Sequence, residues 1–229
     1  MRVNSIVDYL AGKSYPGRTI CLSYDKDIKL LYFIMGRSAN SQNRIFVKEE
    51  DRLRTEAFDP AKLEDPSLII YNLYRAYEGR HILTNGDQTD TIYEGYADGR
   101  SMYNSLLTRR FEPDAPNFTP RISLVLSGSN YAFNIIKAGD PAGEFCNHFQ
   151  FNYELSPGCG HCIHTYMDDG DPLPSFTGEP VAFPATDNLA RELWESINSD
   201  YKVSLTEISI DAESGKVKDL LIFNKLEGD

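Results

Sequence analysis

Guanidinium, phenol, carboxamide and carboxylate groups crowd into four short segments of this 229-residue chain, each beside an apolar run. Gly36-Arg37-Ser38-Ala39-Asn40-Ser41-Gln42-Asn43-Arg44 offers two guanidiniums with several amides and hydroxyls in nine residues. Arginine is always charged and grips phosphate or carboxylate with two parallel donors. Tyr71-Asn72 places a phenol and an amide inside an apolar stretch. Thr84-Asn85-Gly86-Asp87-Gln88-Thr89-Asp90-Thr91 follows a strand-like run. Glu112 through Thr119-Pro120-Arg121 leads into another. Each has a plainer reading: a solvated loop, a core aromatic, a turn before a capped helix, a surface carboxylate. Their shared position at strand ends, with arginine and carboxylate together, favours a site for a small anionic ligand.

Charge placement agrees. Residues 1–121 hold 17 Lys and Arg against 17 Asp and Glu, whereas residues 122–229 hold 6 against 17, which accounts for the net charge of −11. Twelve of the thirteen arginines fall at or before Arg121. If the protein binds a small anion, the first half should do it; the plainer reading is a chance excess of surface arginine. An overall charge of −11 excludes nucleic acid and anionic membrane as expected partners. No apolar run approaches the roughly 20 residues that span a bilayer. Residues 1–12 lack the apolar segment of a signal peptide, so the cytoplasm is the expected compartment. Four cysteines (Cys21, Cys146, Cys159, Cys162) are too few for a disulfide scaffold and are expected as thiols.

The elements that must position these segments can be read coarsely. Asn4 to Leu10 reads as a short amphipathic helix, and Tyr15-Pro16-Gly17-Arg18 as a turn. Thr19 to Tyr24 and Leu30 to Met35 read as strands around a polar hairpin containing Asp25, Lys26 and Asp27. Arg44 to Val47 reads as a third strand, Asp51 to Pro66 as a charged loop, and Leu68 to Tyr74 as a buried strand. Asp98 is expected to cap a helix running to Arg109, with Met102 and Leu106 on one face. Glu112 to Pro120, with three prolines, reads as a loop. Ile122 to Leu126 and Ala132 to Lys137 read as strands, and Asp171 to Pro184 as a long surface loop. Asp187 opens a helix carrying Leu189, Leu193 and Ile197, and Val203 to Ile210 with Val217 to Phe223 reads as a hairpin. Strands in consecutive pairs with few helices predict an α+β fold with antiparallel sheets, as one domain over residues 1–229.

Cys159-Gly160-His161-Cys162-Ile163-His164 invites a metal reading. Its spacing is poor, because closed zinc sites draw ligands from two separated segments. In a strand, His161 and Ile163 would share one face and Cys162 and His164 the other. No metal and no cofactor is expected.

Tyr15-Pro16-Gly17-Arg18, Arg37-Ser38 to Asn43-Arg44, Tyr71-Asn72, Asn85-Gly86 with Thr89-Asp90-Thr91-Ile92, and Thr119-Pro120-Arg121-Ile122 occur in order over residues 15–125. This set resembles the stand-alone IMP cyclohydrolase family. The longer Ser38–Arg44 spacing and the longer second half resemble its bacterial IMP cyclohydrolase-like branch. The resemblance implies a four-layer αββα sandwich of two mainly antiparallel sheets. That arrangement is like the N-terminal-nucleophile hydrolases without their processed nucleophile; here no Cys, Ser or Thr follows Met1. It also implies dehydrative ring closure of 5-formamidoimidazole-4-carboxamide ribonucleotide to IMP, in purine biosynthesis. A nucleotide-binding protein of the same fold without turnover is the alternative. The implied partner is a small purine ribonucleotide, and a homo-oligomer is left open. Arg44, Tyr71 and Glu112 align with the family's active-site Arg, Tyr and Glu, with Asp114 a rival to Glu112. Arg37, Ser38, Asn43, Asn72, Asn85, Asp87, Thr89, Asp90 and Arg121 are candidate substrate contacts. A neighbouring arginine is expected to lower the Tyr71 pKa toward working range.

Overall fold

Leu30 to Met35 is apolar at every position because both faces of that strand are covered. Leu30, Tyr32 and Ile34 face a second sheet, while Leu31, Phe33 and Met35 face helices. The computed structural model describes residues 1–63, 66 and 69–228. In chain order the elements are α1 (Ile6–Ala11), β1 (Thr19–Tyr24), β2 (Asp27–Met35), α2 (Ala39–Gln42), β3 (Arg44–Glu49), β4 (Arg52–Ala57), a 3₁₀ turn (Pro60–Lys62), β5 (Asn72–Tyr77) and β6 (Arg80–Thr84). There follow α3 (Gln88–Ala97), α4 (Met102–Leu106), β7 (Arg121–Ser127), β8 (Asn130–Ala138), β9 (Cys146–Glu154), β10 (Cys159–His164), β11 (Val181–Pro184), α5 (Leu189–Ser196), β12 (Lys202–Asp211) and β13 (Val217–Asn224).

The strands form two antiparallel sheets, a six-stranded one ordered β11-β10-β1-β2-β12-β13 and a seven-stranded one ordered β3-β4-β5-β6-β7-β8-β9. Their facing sides enclose the central core, including Ile20, Leu22, Leu30 and Ile34 from the first sheet and Leu73, Leu83, Leu124 and Phe133 from the second. Helices α1 and α5 cover the outer face of the first sheet, with Ile6, Leu10, Leu189, Leu193 and Trp194 packed on Leu31, Phe33 and Leu205. On the second sheet's outer face, α3 and α4 place Ile92, Met102 and Leu106 against Ile82, Val125 and Ile136. The result is a four-layer αββα sandwich of the α+β class. No helix among the described residues is long and apolar enough to cross a membrane.

Several local expectations need correction. Residues 51–66 are not only loop: β4 runs through them, with Leu53 and Thr55 buried and charged side chains on alternate positions. The strand expected from Leu68 instead starts at Asn72, and Leu68 itself lies outside the described residues. Asp98 ends α3 rather than opening the next helix; Gly99, at φ +75°, breaks the chain there, and Ser101 caps α4. Residues 171–184 are not a surface loop throughout, since Leu173 and Phe176 are buried and β11 closes the segment.

The two sheets are stitched at one edge by Asn224, the last residue of β13. Its side-chain amide imitates a peptide group: Oδ1 accepts from Phe46 N at 2.8 Å and Nδ2 donates to Phe46 O at 3.0 Å. This holds β3, and hence Arg44 at its start, against the first sheet. Asn224→Ala should lower stability by about 1–3 kcal/mol, because the Phe46 backbone groups lose their partners inside the protein. Urea unfolding of the two proteins measures this, and equal midpoints would remove the amide as a joint.

Candidate active site

Arg18 precedes β1 by one residue and is placed by its neighbours. Gly17 sits at φ +77°, and a Cβ there would lie 2.3 Å from Thr165 Oγ1 and 2.6 Å from the Tyr166 ring, so no other residue fits. Arg18 N then donates to Thr165 Oγ1 at 3.1 Å, and Thr165 N to Arg18 O at 2.9 Å. Arg44 opens β3, and its Nε donates to Ser41 O at 2.8 Å. Tyr71 is clamped by Thr55 of β4. Tyr71 N donates to Thr55 Oγ1 at 3.0 Å, and Thr55 N to Tyr71 O at 3.0 Å. Tyr32 of β2 stacks on Phe46 and meets the Tyr71 hydroxyl at 2.9 Å. Glu112 lies in the loop between α4 and β7, where its N donates to Thr119 O at 2.9 Å. Asp114 staples that loop through Thr119 N at 2.7 Å and the Thr119 hydroxyl, which also sits 2.5 Å from the Tyr166 hydroxyl.

Arg44, Tyr71 and Glu112 are 1%, 6% and 3% exposed, and they lie close enough to alter one another's ionisation. Burial and then Arg18 lower the Arg44 pKa from its ordinary value. Burial also works against charge on Arg18, but Glu112, followed by Tyr15, Tyr166 and Tyr71, outweighs it and raises the Arg18 pKa. For Tyr71, burial raises the pKa and outweighs the opposing pull of Arg44 and Arg18. The expected lowering is thus reversed in net direction, and the group is a neutral phenol near pH 7. Burial likewise raises Glu112, against Arg18 and Arg121. Arg18 Nε and Arg44 Nη2 are buried without a hydrogen-bond partner among the described residues. Such a cluster can stabilise an oxyanion and exchange protons with it.

A family model described as IMP cyclohydrolase-like protein matches residues 15–214, a span that contains every residue of this cluster. The chain belongs to the IMP cyclohydrolase-like family. No curated protein matches the chain well enough to add a named relative.

Of the other candidate contacts, Arg37 is paired with Asp169 at 2.8 Å and lies 5.4 Å from the centre of the Tyr15 ring. Ser38 caps α2, and Asn43 exchanges two 2.8 Å hydrogen bonds with the Asp59 backbone. Asn85 holds the entry to β7 through Pro120 O and Ile122 N, and Thr89 meets the Thr84 hydroxyl. Asp87 joins Arg109 and Arg121, both at 2.7 Å, and Arg121 is the member of this set that Glu112 senses. Asn72 and Asp90 hydrogen-bond each other at 2.9 and 3.0 Å under α3, across the second sheet from Tyr71. They are not brought to the cluster. Arg18 and Tyr32 are the additions that sequence reasoning missed. Arg18 is visible in the sequence as the end of a turn and of one family-like segment but with no site role, and Tyr32 only as one more apolar strand position. The Cys159–His164 strand alternates as its pattern predicts, with His161 stacked on Tyr153 and Cys162 and His164 packed toward α1. A cleft of about 450 Å³ lined by Tyr96, Tyr103, Gln150 and Asn152 lies on the outer face of the second sheet, away from the cluster.

A carboxyl whose folded pKa exceeds its unfolded value contributes stability that is present below the unfolded pKa and lost as pH rises through the folded one. The stability of the protein relative to Glu112→Gln should therefore be greatest at about pH 4 and shrink as the pH rises above it. Denaturant unfolding of both across that range checks it; a gap that widens with pH would contradict the burial argument.

Proposed function

We propose that this cluster closes the pyrimidine ring of a purine ribonucleotide, converting 5-formamidoimidazole-4-carboxamide ribonucleotide to IMP. The observation that carries the reading is a pair of guanidiniums, Arg44 buried and Arg18 half-buried with its Nε buried, each with an N–H that has no partner among the described residues, beside a phenol and a carboxyl. Family membership supports it.

The carboxamide nitrogen is a poor nucleophile, so the site must hold it against the formyl carbon, take a proton from it and stabilise the oxygen that gains charge. Both reacting groups belong to one molecule, which supplies much of the effective concentration. Glu112 accepts the amide proton as the N–C bond forms; its raised pKa makes it a better base than an exposed carboxylate. The formyl oxygen becomes an alkoxide facing Arg44 and Arg18, which remain charged and serve as the oxyanion hole. Tyr71 donates its proton to that oxygen, and the Tyr32 hydroxyl at 2.9 Å supports the phenolate left behind. In the second step the hydroxyl leaves as water with the proton held by Glu112. The formamido nitrogen gives its proton to the Tyr71 phenolate as the C=N bond forms. Both groups are then back in their starting states, and one water has been released.

Arg44→Lys, Tyr71→Phe and Glu112→Gln should each slow ring closure by about 10²-fold or more, equivalent to about 2.7 kcal/mol of transition-state stabilisation. Absorbance of the product on addition of the formylated ribonucleotide reads this directly. Full rates in all three folded variants would overturn the assignment, and nucleotide binding without turnover by the unaltered protein would establish the alternative.

A further inference from the structure

Four strands form the edges of the two sheets, and three of them are guarded. β11 has four residues, ends at Pro184, and is covered by the N-terminal segment: Val3 N donates to Ala182 O and Ala182 N to Met1 O, both at 2.9 Å. β13 carries Lys218 and Asp219 and loses register with β12 at a bulge between Ser209 and Ile210. β3 ends in Lys48 and Glu49, and the Asn224 amide occupies the Phe46 backbone. Charge, proline, bulges and covering segments are the usual defences of an edge.

β9 has none of these. Its nine residues, Cys-Asn-His-Phe-Gln-Phe-Asn-Tyr-Glu, pair with β8 without a register shift and contain no Lys, Arg, Asp or Pro. The one formal charge, Glu154, is the last residue. In a chain of net charge −11, this edge is uncharged from Cys146 to Tyr153, so two copies can meet along it without placing like charges face to face. Aromatic surface is exposed beside it: Phe149 is 42% and Phe145 66% exposed.

We propose that β9 pairs antiparallel with β9 of a second copy of this chain, about a two-fold axis through Gln150. The sequence is self-complementary in that register. Gln150 faces its own copy, Phe149 meets Phe151, His148 meets Asn152 and Asn147 meets Tyr153, so all nine residues find partners and no two charges oppose. The two seven-stranded sheets become one sheet of fourteen strands. Main-chain hydrogen bonds supply affinity, and the aromatic cross-strand pairs fix the register.

Sedimentation velocity on the full chain tests this at about 100 μM, where a Kd of about 10 μM already populates mostly dimer. The unaltered protein should sediment at twice the chain mass of 25.9 kDa. Gln150→Lys and Gln150→Glu, each placing like charges face to face at the axis, should separately sediment as monomers. An equimolar mixture of the two should return to dimer, which a misfolded variant could not do. The proposal is overturned by a monomeric unaltered protein, by dimers that persist in both single variants, or by a mixture that stays monomeric.

Discussion

Two guanidinium groups, Arg44 buried and Arg18 half-buried, are held near one another, and the surrounding architecture can be understood as what makes that tolerable. Buried like charges repel, and each loses its hydration. Burial and Arg18 both weaken the proton's hold on Arg44. Glu112 is the compensating carboxyl, and it too is buried at a cost. None of these groups could be held so in a loose loop. Arg44 is pinned by Ser41 and by the start of β3, Arg18 by a glycine wedged against Thr165 and Tyr166, and Glu112 by a loop that Asp114 staples to Thr119.

The sandwich supplies that rigidity from both sides. Arg18 and Tyr32 come from the first sheet, Arg44 and Tyr71 from the second, and the tyrosine hydroxyls meet across the interface at 2.9 Å. Antiparallel sheets covered on one face by helices and on the other by the partner sheet leave their strand ends free for polar groups while the interior stays apolar. Thr55 shows how the two demands meet: its hydroxyl is fully buried in β4 yet accepts from Tyr71 N and so fixes the backbone that carries this phenol.

Legibility in the sequence followed how strongly each element needed apolar residues. β1 was readable to the residue, because its alternate positions face two different hydrophobic layers and Pro-Gly punctuates its start. β9 was not, since an edge strand with polar side chains between aromatics carries no clear burial pattern. Helix α3 is legible only as the plainer reading of its segment, a capped helix after a turn, because its inward face is Gln88, Thr89 and Gly95 with Ile92 the lone aliphatic, so it lacks an apolar stripe. Arg44, Tyr71 and Glu112 were grouped by likeness to a family; nothing in their spacing predicts convergence, because three separate connections bring them together. Tyr71 exposes a further limit: a charged neighbour can be guessed from sequence, but the depth of burial that outweighs it cannot.

The unpartnered N–H groups of Arg18 and Arg44 bear on how fold and affinity trade against each other. Negative charge arriving between them would ease the repulsion that Arg18 exerts on Arg44. An anion that bound there to the folded chain and not to the unfolded one would make resistance to unfolding a function of its concentration.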